Sequence, residues 1–192
     1  MKHAATKELF AYWDSRRGER PLPERNEIEP RDIARILGDT FVLDADGGYF
    51  FRLAGTRVCA LFDRELRDTG FLELWHPQSR GALQTVLATS IEEAVGTVAS
   101  VSAHTADARE VLLELLLLPL NHRGRPTRLI GSIVPMKIPF WLEVIPIEHL
   151  NLGALRHVGP VIADAHLPSL VAPSAGPAQR ERFVVHEGGR RD

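Results

Sequence analysis

Apolar residues at helical spacing predict an amphipathic helix at the start of the chain. Between Lys7 and Arg16 the apolar positions are Leu9, Phe10 and Trp13. Thr6 is a candidate N-cap, because its hydroxyl can accept from a free amide of the first turn. A second short helix is predicted from Pro30 to Leu37, since proline suits a first helical position. Residues 1–37 are therefore expected to form a helical extension.

The spacing of apolar residues then changes to the period of strands. Residues 40–43 and 49–53 flank a Gly-Gly turn, which predicts a β-hairpin. In the second strand, alternation places three side chains on one face: Tyr49, Phe51 and Leu53. A brief helix is predicted from Thr56 through Phe62, and a longer one from Pro77 to about Val95.

Three further strands are predicted at 97–103, 110–118 and 128–136. Only short turns separate them, so they should pair antiparallel. Residues 38–138 are therefore expected to form an α+β core, in which helices cover one face of an antiparallel sheet.

The strand Glu110–Leu118 is apolar on both faces. Its core face carries Val111, Leu113, Leu115 and Leu117, and its opposite face carries Leu112, Leu116 and Leu118 around Glu114. A second apolar face needs a cover, because large exposed apolar patches mark contact sites. Either the N-terminal helix or a second subunit could supply that cover, and both could do so together. The predicted docking or dimer interface consists of Leu9, Phe10, Trp13, Leu112 and Leu116.

Residues 139–158 are expected to pack on the core as a final strand or an extended segment. Residues 159–192 are rich in proline, alanine, glycine and charged residues. This composition predicts a tail without fixed structure.

The composition argues against several classes of protein. The 23 basic and 25 acidic residues nearly cancel, whereas nucleic-acid binders usually carry a basic excess, so no nucleic-acid partner is expected. One cysteine excludes an intrachain disulfide and favours a reducing cytoplasm. The most apolar run, Val111 to Leu120, is about half the length needed to cross a bilayer. No signal peptide is recognised at the N-terminus, and a soluble, cytoplasmic protein is expected.

Two segments resemble PAS domains. The stretch 51–66, with its strand, glycine, short helix and Phe-Asp-Arg-Glu-Leu turn, is similar to the early part of that family, although Asp63 replaces a usual small residue. The stretch Gly70–Pro77 looks like the entry to the long PAS helix, with Glu73 near the customary acidic place.

Other segments in the same order, from about residue 7 to 158, are similar to a compact bacterial PAS family in which the PAS unit is nearly the whole chain. The resemblance implies a five-stranded antiparallel sheet with short helices on one face, a pocket between sheet and helices, and frequent dimerisation through the N-terminal helix. It also implies a signal-transduction module without enzymatic activity.

The candidate residues for a small apolar ligand in that pocket are Phe51, Cys59, Phe62, Trp75, Leu83 and Leu115. Cys59 is expected to serve mainly as a small buried hydrophobe, because the flavin-binding motif Asn-Cys-Arg-Phe-Leu-Gln is absent. The long helix contains no histidine for haem, and His76 before it suits capping or a surface position. No histidine pair has metal-ligand spacing, so neither a metal nor a cofactor is predicted.

The hypothesis is a cytoplasmic, non-catalytic PAS sensor or interaction module that acts as a homodimer or with a signalling partner. A ligand or partner would change how the N-terminal helix packs on the sheet, and alanine at Phe10 and Trp13 should weaken self-association or partner capture. The alternatives are a haem- or flavin-bearing sensor and an enzyme on an α+β scaffold. Arg52 and Arg57 could meet an anionic ligand or acidic partner, but surface ion pairing is the simpler expectation.

Overall fold

Six strands form one antiparallel sheet in the computed structural model, which describes residues 1–159. They are β1 (Thr40–Asp44), β2 (Phe50–Ala54), β3 (Gly96–Thr105), β4 (Glu110–His122), β5 (Arg125–Pro135) and β6 (Ile147–Val158). The strand order is β2-β1-β5-β4-β3-β6, and all five neighbouring pairs are antiparallel. The predicted α+β class is confirmed. Apart from Gly159, the predicted tail, residues 159–192, lies outside the described residues.

The sheet has six strands rather than the five that the resemblance implied, because residues 147–158 form a full edge strand, which is one of the two forms expected for residues 139–158. β6 pairs with β3 from Gly96↔Val158 to Thr105↔Ile147. This pairing satisfies the backbone groups that β3 would otherwise present as an open edge. It also buries Leu150 completely in the core.

The three α-helices lie on both faces of this sheet. They are α1 (Ala4–Arg17), α2 (Thr56–Leu61) and α3 (Pro77–Glu92). Residues of α2 and α3 share a hydrophobic cluster with one face of the sheet, here called the inner face. Residues of α1 form a second cluster with the opposite, outer face. The sheet is therefore covered on both sides, as the doubly apolar β4 requires.

Several predicted helix boundaries differ from the structure. α1 begins earlier than expected, because the Nδ1 atom of His3, not the hydroxyl of Thr6, accepts from the amide of Ala5 at 3.2 Å. Residues 30–37 do not form one helix but two short 3-10 turns, Pro30–Ile33 and Leu37–Asp39. α3 ends at Glu92 rather than near Val95, and β3 begins at Gly96.

A β-bulge in β2 changes the faces predicted for that strand. Val42 lies opposite Leu53 and Leu43 lies opposite Phe51, so Arg52 is an extra residue on β2. Phe51 is buried in the inner cluster, but Leu53 is 40% exposed beside Val42 of the outer cluster. The prediction that Phe51 and Leu53 share a face was therefore wrong, because the extra residue reverses the alternation.

Candidate functional site

The six predicted ligand residues lie together between the inner face of the sheet and helices α2 and α3. Five are buried, namely Phe51, Phe62, Trp75, Leu83 and Leu115, and Cys59 is half-buried at the margin of the same cluster. Each comes from a different element or turn. The fold thus brings together residues that are up to 64 positions apart in the sequence, the distance from Phe51 to Leu115.

Aromatic rings fill the centre of this inner core. Phe41, Phe51 and Phe71 have ring centroids 5.5–5.6 Å apart, and Trp75 is 5.8 Å from Phe71. Such edge-to-face and offset arrangements are favourable beyond simple burial. None of the three grooves described for residues 1–159 is lined by any of the six candidates. The five buried candidates therefore pack against their neighbours in this conformation.

Phe41 and Phe71 also belong to this cluster, although neither was predicted from the sequence. Phe41 alternates with Val42 on β1, and that alternation could have placed one of the two on the core face. Phe71 lies in a 3-10 turn, Phe71–Leu74, where no strict period marks the buried side. Only its contacts with Phe41, Phe51 and Trp75 identify its position.

Trp75 brings a polar group, its indole N–H, into the aromatic cluster. Its indole N–H is fully buried and has no hydrogen-bond partner among the described residues. Its backbone carbonyl, in contrast, accepts from the Nε of Arg80 at 2.9 Å. An unpaired buried donor costs free energy, and a ligand oxygen or nitrogen that reached it would recover that cost.

Cys59 has the environment of an unreactive thiol. Its Sγ lies 4.0 Å from the carbonyl oxygen of Ala54 and 3.7 Å from Oε1 of Glu65. Burial, with a contribution from the Glu65 carboxylate, raises the pKa of the Cys59 thiol. Because the thiolate is the nucleophilic form, this shift works against covalent attachment at Cys59.

The outer face is the docking surface of α1. Leu9 and Trp13 are fully buried against Leu116 and its neighbours on β4 and β5. The indole N–H of Trp13 donates to the carbonyl oxygen of Pro119 at 2.8 Å. The three predicted interface residues Leu9, Trp13 and Leu116 are thus occupied within one chain, and α1 is the cover that β4 required.

Glu114 fixes the start of α1 to the middle of β4. Its two carboxylate oxygens accept from the backbone amides of Lys2, at 2.7 Å, and His3, at 2.9 Å. Burial is the largest single effect and would raise the pKa of Glu114, but the hydrogen bonds from the amides of His3 and Lys2 are the strongest of several effects that together hold the pKa below its usual value. A carboxylate in this position also complements the positive end of the helix dipole.

Two predicted interface residues remain accessible. Phe10 is half-buried, with its ring centroid 6.1 Å from that of Trp13, and Leu112 is 57% exposed. Leu112 borders a groove of about 410 Å³ between the N-terminus, β4 and β6, together with Met1, Met136 and Arg156. The part of the outer face that α1 does not reach is therefore open and largely apolar.

Three histidines from separate elements stack at the β6 edge of the sheet. The ring centroid of His149 lies 5.2 Å from that of His76 and 5.3 Å from that of His104. Within residues 1–159, no group of histidine, cysteine or acidic side chains has an arrangement that could hold a metal ion. The Nδ1 atom of His76 accepts from the amide of Gln78, which gives this residue the capping role expected from the sequence.

The two arginines considered from the sequence have different surroundings. Arg57 forms two hydrogen bonds of 2.6 Å with the buried carboxylate of Asp39, and this contact raises the pKa of Arg57. Arg57 is therefore held in a structural ion pair, as the simpler expectation had it. Arg52 makes no ion pair with another described residue and lies in a separate groove.

A family model described as a PAS domain matches residues 1–134. That range is more than half of the 192 residues. The chain belongs to the PAS domain family. The resemblance drawn from the sequence is therefore confirmed, and the PAS domain is a sensory and signalling module. The match includes α1, and β6 lies beyond it.

Solved structures similar to this PAS domain include three with named sources. A PAS domain of an HTR-like protein from Haloarcula marismortui is 20% identical, with a TM-score of 0.41, covering 54% of this chain and 88% of its own. A PAS domain from Colwellia psychrerythraea is 10% identical, with a TM-score of 0.43, covering 55% and 95%. A LOV protein from Rhodobacter sphaeroides is 11% identical, with a TM-score of 0.45, covering 59% and 71%.

Each of these TM-scores is below 0.5, so the assignment of this PAS domain rests on the family match and its own topology. No match was found among curated proteins. Among residues 1–159, no helix has both the length and the apolar character needed to cross a membrane.

Proposed function

We propose that this PAS domain is a non-catalytic signalling module whose output is a change in the packing of α1 on the outer face of the sheet. A small ligand in the inner core, or a protein partner or second copy at the outer face, would favour one packing over the other. The signal would be transmitted through β4, because its inner residues contact the aromatic core while its outer residues contact α1.

The contact between α1 and β4 is the observation that carries this proposal. Leu115 and Leu117 face the inner core, and Leu116 and Leu118 face α1 on the same strand. A displaced ring in the inner core would therefore shift a strand that α1 rests on. The proposed output is the change in the packing of α1 itself.

The proposed switch has two states of α1, docked and released. In the docked state, Leu9 and Trp13 are buried and Glu114 binds the amides of Lys2 and His3. In a released state, the outer residues Leu116, Leu118 and Leu120 would be uncovered, and this apolar strip would bind a partner or another copy. A ligand shifts the equilibrium only by its difference in affinity for the two states.

Hydrogen exchange on wild type and the Trp13→Ala variant tests the proposal. We expect the amides of α1 to exchange at least tenfold faster in the variant while those of α3 and β5 keep their protection. We also expect the mass of the oligomer, or the capture of a partner from native cells, to change with it. Phe140→Ala is the matched control, because Phe140 is 90% exposed and belongs to neither cluster.

Two results would count against this function. One is loss of protection throughout the sheet together with α1, because α1 would then not be a separate unit. The other is a released α1 with unchanged oligomer mass and unchanged partner capture in both Trp13→Ala and the Phe10→Ala/Trp13→Ala double variant.

A further inference from the structure

Three arginines converge on a groove at the end of the sheet away from the start of α1. The groove has a volume of about 360 Å³ and is lined by Arg25, Val42, Arg52, Leu53, His122 and Arg128. Its walls come from β1, β2, β4, β5 and the connector after α1. None of the acidic residues among positions 1–159 lines it. The fold therefore gathers positive charge here, although the whole chain has a formal net charge of −2.

Two of the three guanidinium groups have no acidic partner in the part of the chain that the structure describes. Arg128 forms an ion pair with Asp44. Neither Arg25 nor Arg52 takes part in an ion pair within residues 1–159. Arg25 donates one hydrogen bond, of 3.3 Å, to the carbonyl oxygen of Ile28. Arg52 is exposed. Both guanidinium groups retain N–H donors for a ligand, because each guanidinium carries five.

We propose that this groove binds a small anion that carries phosphate or carboxylate groups and a short apolar portion. The guanidinium group matches phosphate and carboxylate oxygens in a two-point geometry, and this recognition favours arginine over lysine. Val42 and Leu53 supply the apolar wall, and Leu53 is there because the bulge at Arg52 turns it to the outer face. The volume lies at the lower end of the range for small-molecule sites.

The groove joins two parts of the molecule. Arg25 lies in the connector between α1 and β1, whereas Arg52 and Arg128 lie on the sheet. An anion held by Arg25 and Arg52 together would therefore tie the connector to the sheet and favour the docked position of α1. This consequence for α1 rests on the proposed function; the anion site itself does not.

Calorimetric titration with inorganic phosphate, pyrophosphate and phenyl phosphate tests the site at about 0.15 M salt, where long-range attraction is screened. We expect pyrophosphate and phenyl phosphate to bind more tightly than inorganic phosphate. Arg52→Gln and Arg25→Gln should each weaken the binding of pyrophosphate at least tenfold. Arg109→Gln makes the same change in charge and is the control. Arg109 lies just before β4, and His122, which lines the groove, is the last residue of that strand. The two residues are therefore about 40 Å apart along the strand.

The same titrations contain the results that would overturn the site. These are no binding of any of the three anions, equal weakening by Arg109→Gln and Arg52→Gln, or binding of a tetra-aspartate peptide without binding of pyrophosphate. Unchanged urea unfolding of Arg52→Gln would show that its weaker binding is not a loss of folding.

Hydrogen exchange separates the site from the proposed function. Slower exchange of α1 in saturating pyrophosphate would support the link between the groove and α1. Binding without any change in α1 would refute that link and leave the site intact, whereas absence of binding would refute the site and leave the Trp13 experiment unaffected.

Discussion

The indole N–H of Trp13 donates a 2.8 Å hydrogen bond to the carbonyl oxygen of Pro119, and both groups are buried. Trp13 lies on α1 and Pro119 on β4, 106 positions apart in the sequence. A proline in the middle of a strand cannot donate to the sheet, but its carbonyl can accept from the helix above. The bond therefore gives the apolar contact between α1 and the sheet a fixed register.

The two buried tryptophans should respond differently to replacement by phenylalanine. Trp13→Phe leaves the carbonyl of Pro119 without its donor and should lower the free energy of unfolding by about 1–3 kcal/mol. Trp75→Phe removes an indole N–H that has no partner among the described residues, so it should cost less than Trp13→Phe. Urea denaturation of both variants measures the difference. An equal or larger loss for Trp75→Phe would mean that its N–H has a partner in solution.

Glu114→Gln should weaken the protein in a pH-dependent way. The folded-state pKa of Glu114 is lowered, so its carboxylate stabilises the folded state above the unfolded-state pKa, and this contribution is lost as the pH falls through the folded value. At pH 7 the variant should be less stable by about 1–3 kcal/mol. The gap between wild type and variant should narrow below about pH 4. Urea denaturation of wild type and variant from pH 7 to below about pH 4 measures this difference in unfolding free energy. A difference that stays constant would contradict the lowered pKa of Glu114.

Two glycine substitutions should have opposite signs. A Cβ on Gly55 would lie 2.3 Å from the carbonyl oxygens of both Leu37 and Gly38, so Gly55→Ala must separate α2 from the preceding turn and should be strongly destabilising. Gly81→Ala, on the exposed side of α3, meets no atom within 4 Å. It should stabilise the protein by about 0.5–1 kcal/mol, because alanine favours the helix. Thermal unfolding of the pair compares them, and a stable Gly55→Ala would show that this contact is not tight.

The ion pair between Asp39 and Arg57 should contribute modestly. Asp39 is buried, but the side chain of Arg57 is 50% exposed, and solvent therefore screens the pair. A double-mutant cycle with Asp39→Asn and Arg57→Gln should give a coupling energy of about 1 kcal/mol. A coupling energy near zero at low salt would contradict the two-point geometry.

The absorption spectrum of the purified protein should contain only the bands of its own aromatic residues. This expectation follows from the aromatic rings that fill the inner core and from the absent flavin motif. A visible band would favour the alternative of a haem- or flavin-bearing sensor, and the inner core would then have to open around the cofactor.

The sequence predicted the layered plan because burial imposes a period on each element. Leucines at successive positions from Leu115 to Leu118 required a cover on both faces of β4, and the apolar spacing of Leu9 and Trp13 marked the helix that supplies one of them. The pattern left open whether α1, a second subunit or both cover the outer face. The docking of α1 depends on the path of the connector and on Glu114, whose bonds to backbone amides leave no trace in the sequence.

Other features could not be settled from the sequence alone, because they depend on pairing between distant segments. The bulge at Arg52 becomes visible only when β2 is aligned with β1. The sequence left residues 139–158 as either a strand or an extended segment, and the pairing of residues 147–158 with β3 decides for the strand. The groove around Arg25 and Arg52 likewise unites residues whose neighbours in the sequence give no sign of a shared site.

The sequence by itself determined the α+β class, the family, the helix α3 and the two apolar faces of β4, because these follow from local periodicity and short motifs. Only the tertiary structure decided the sixth strand, the cover of the outer face by α1, the filled aromatic core and the arginine groove. Each of these depends on which distant surfaces meet, and that choice is made by the free energy of burying them together rather than by any local pattern.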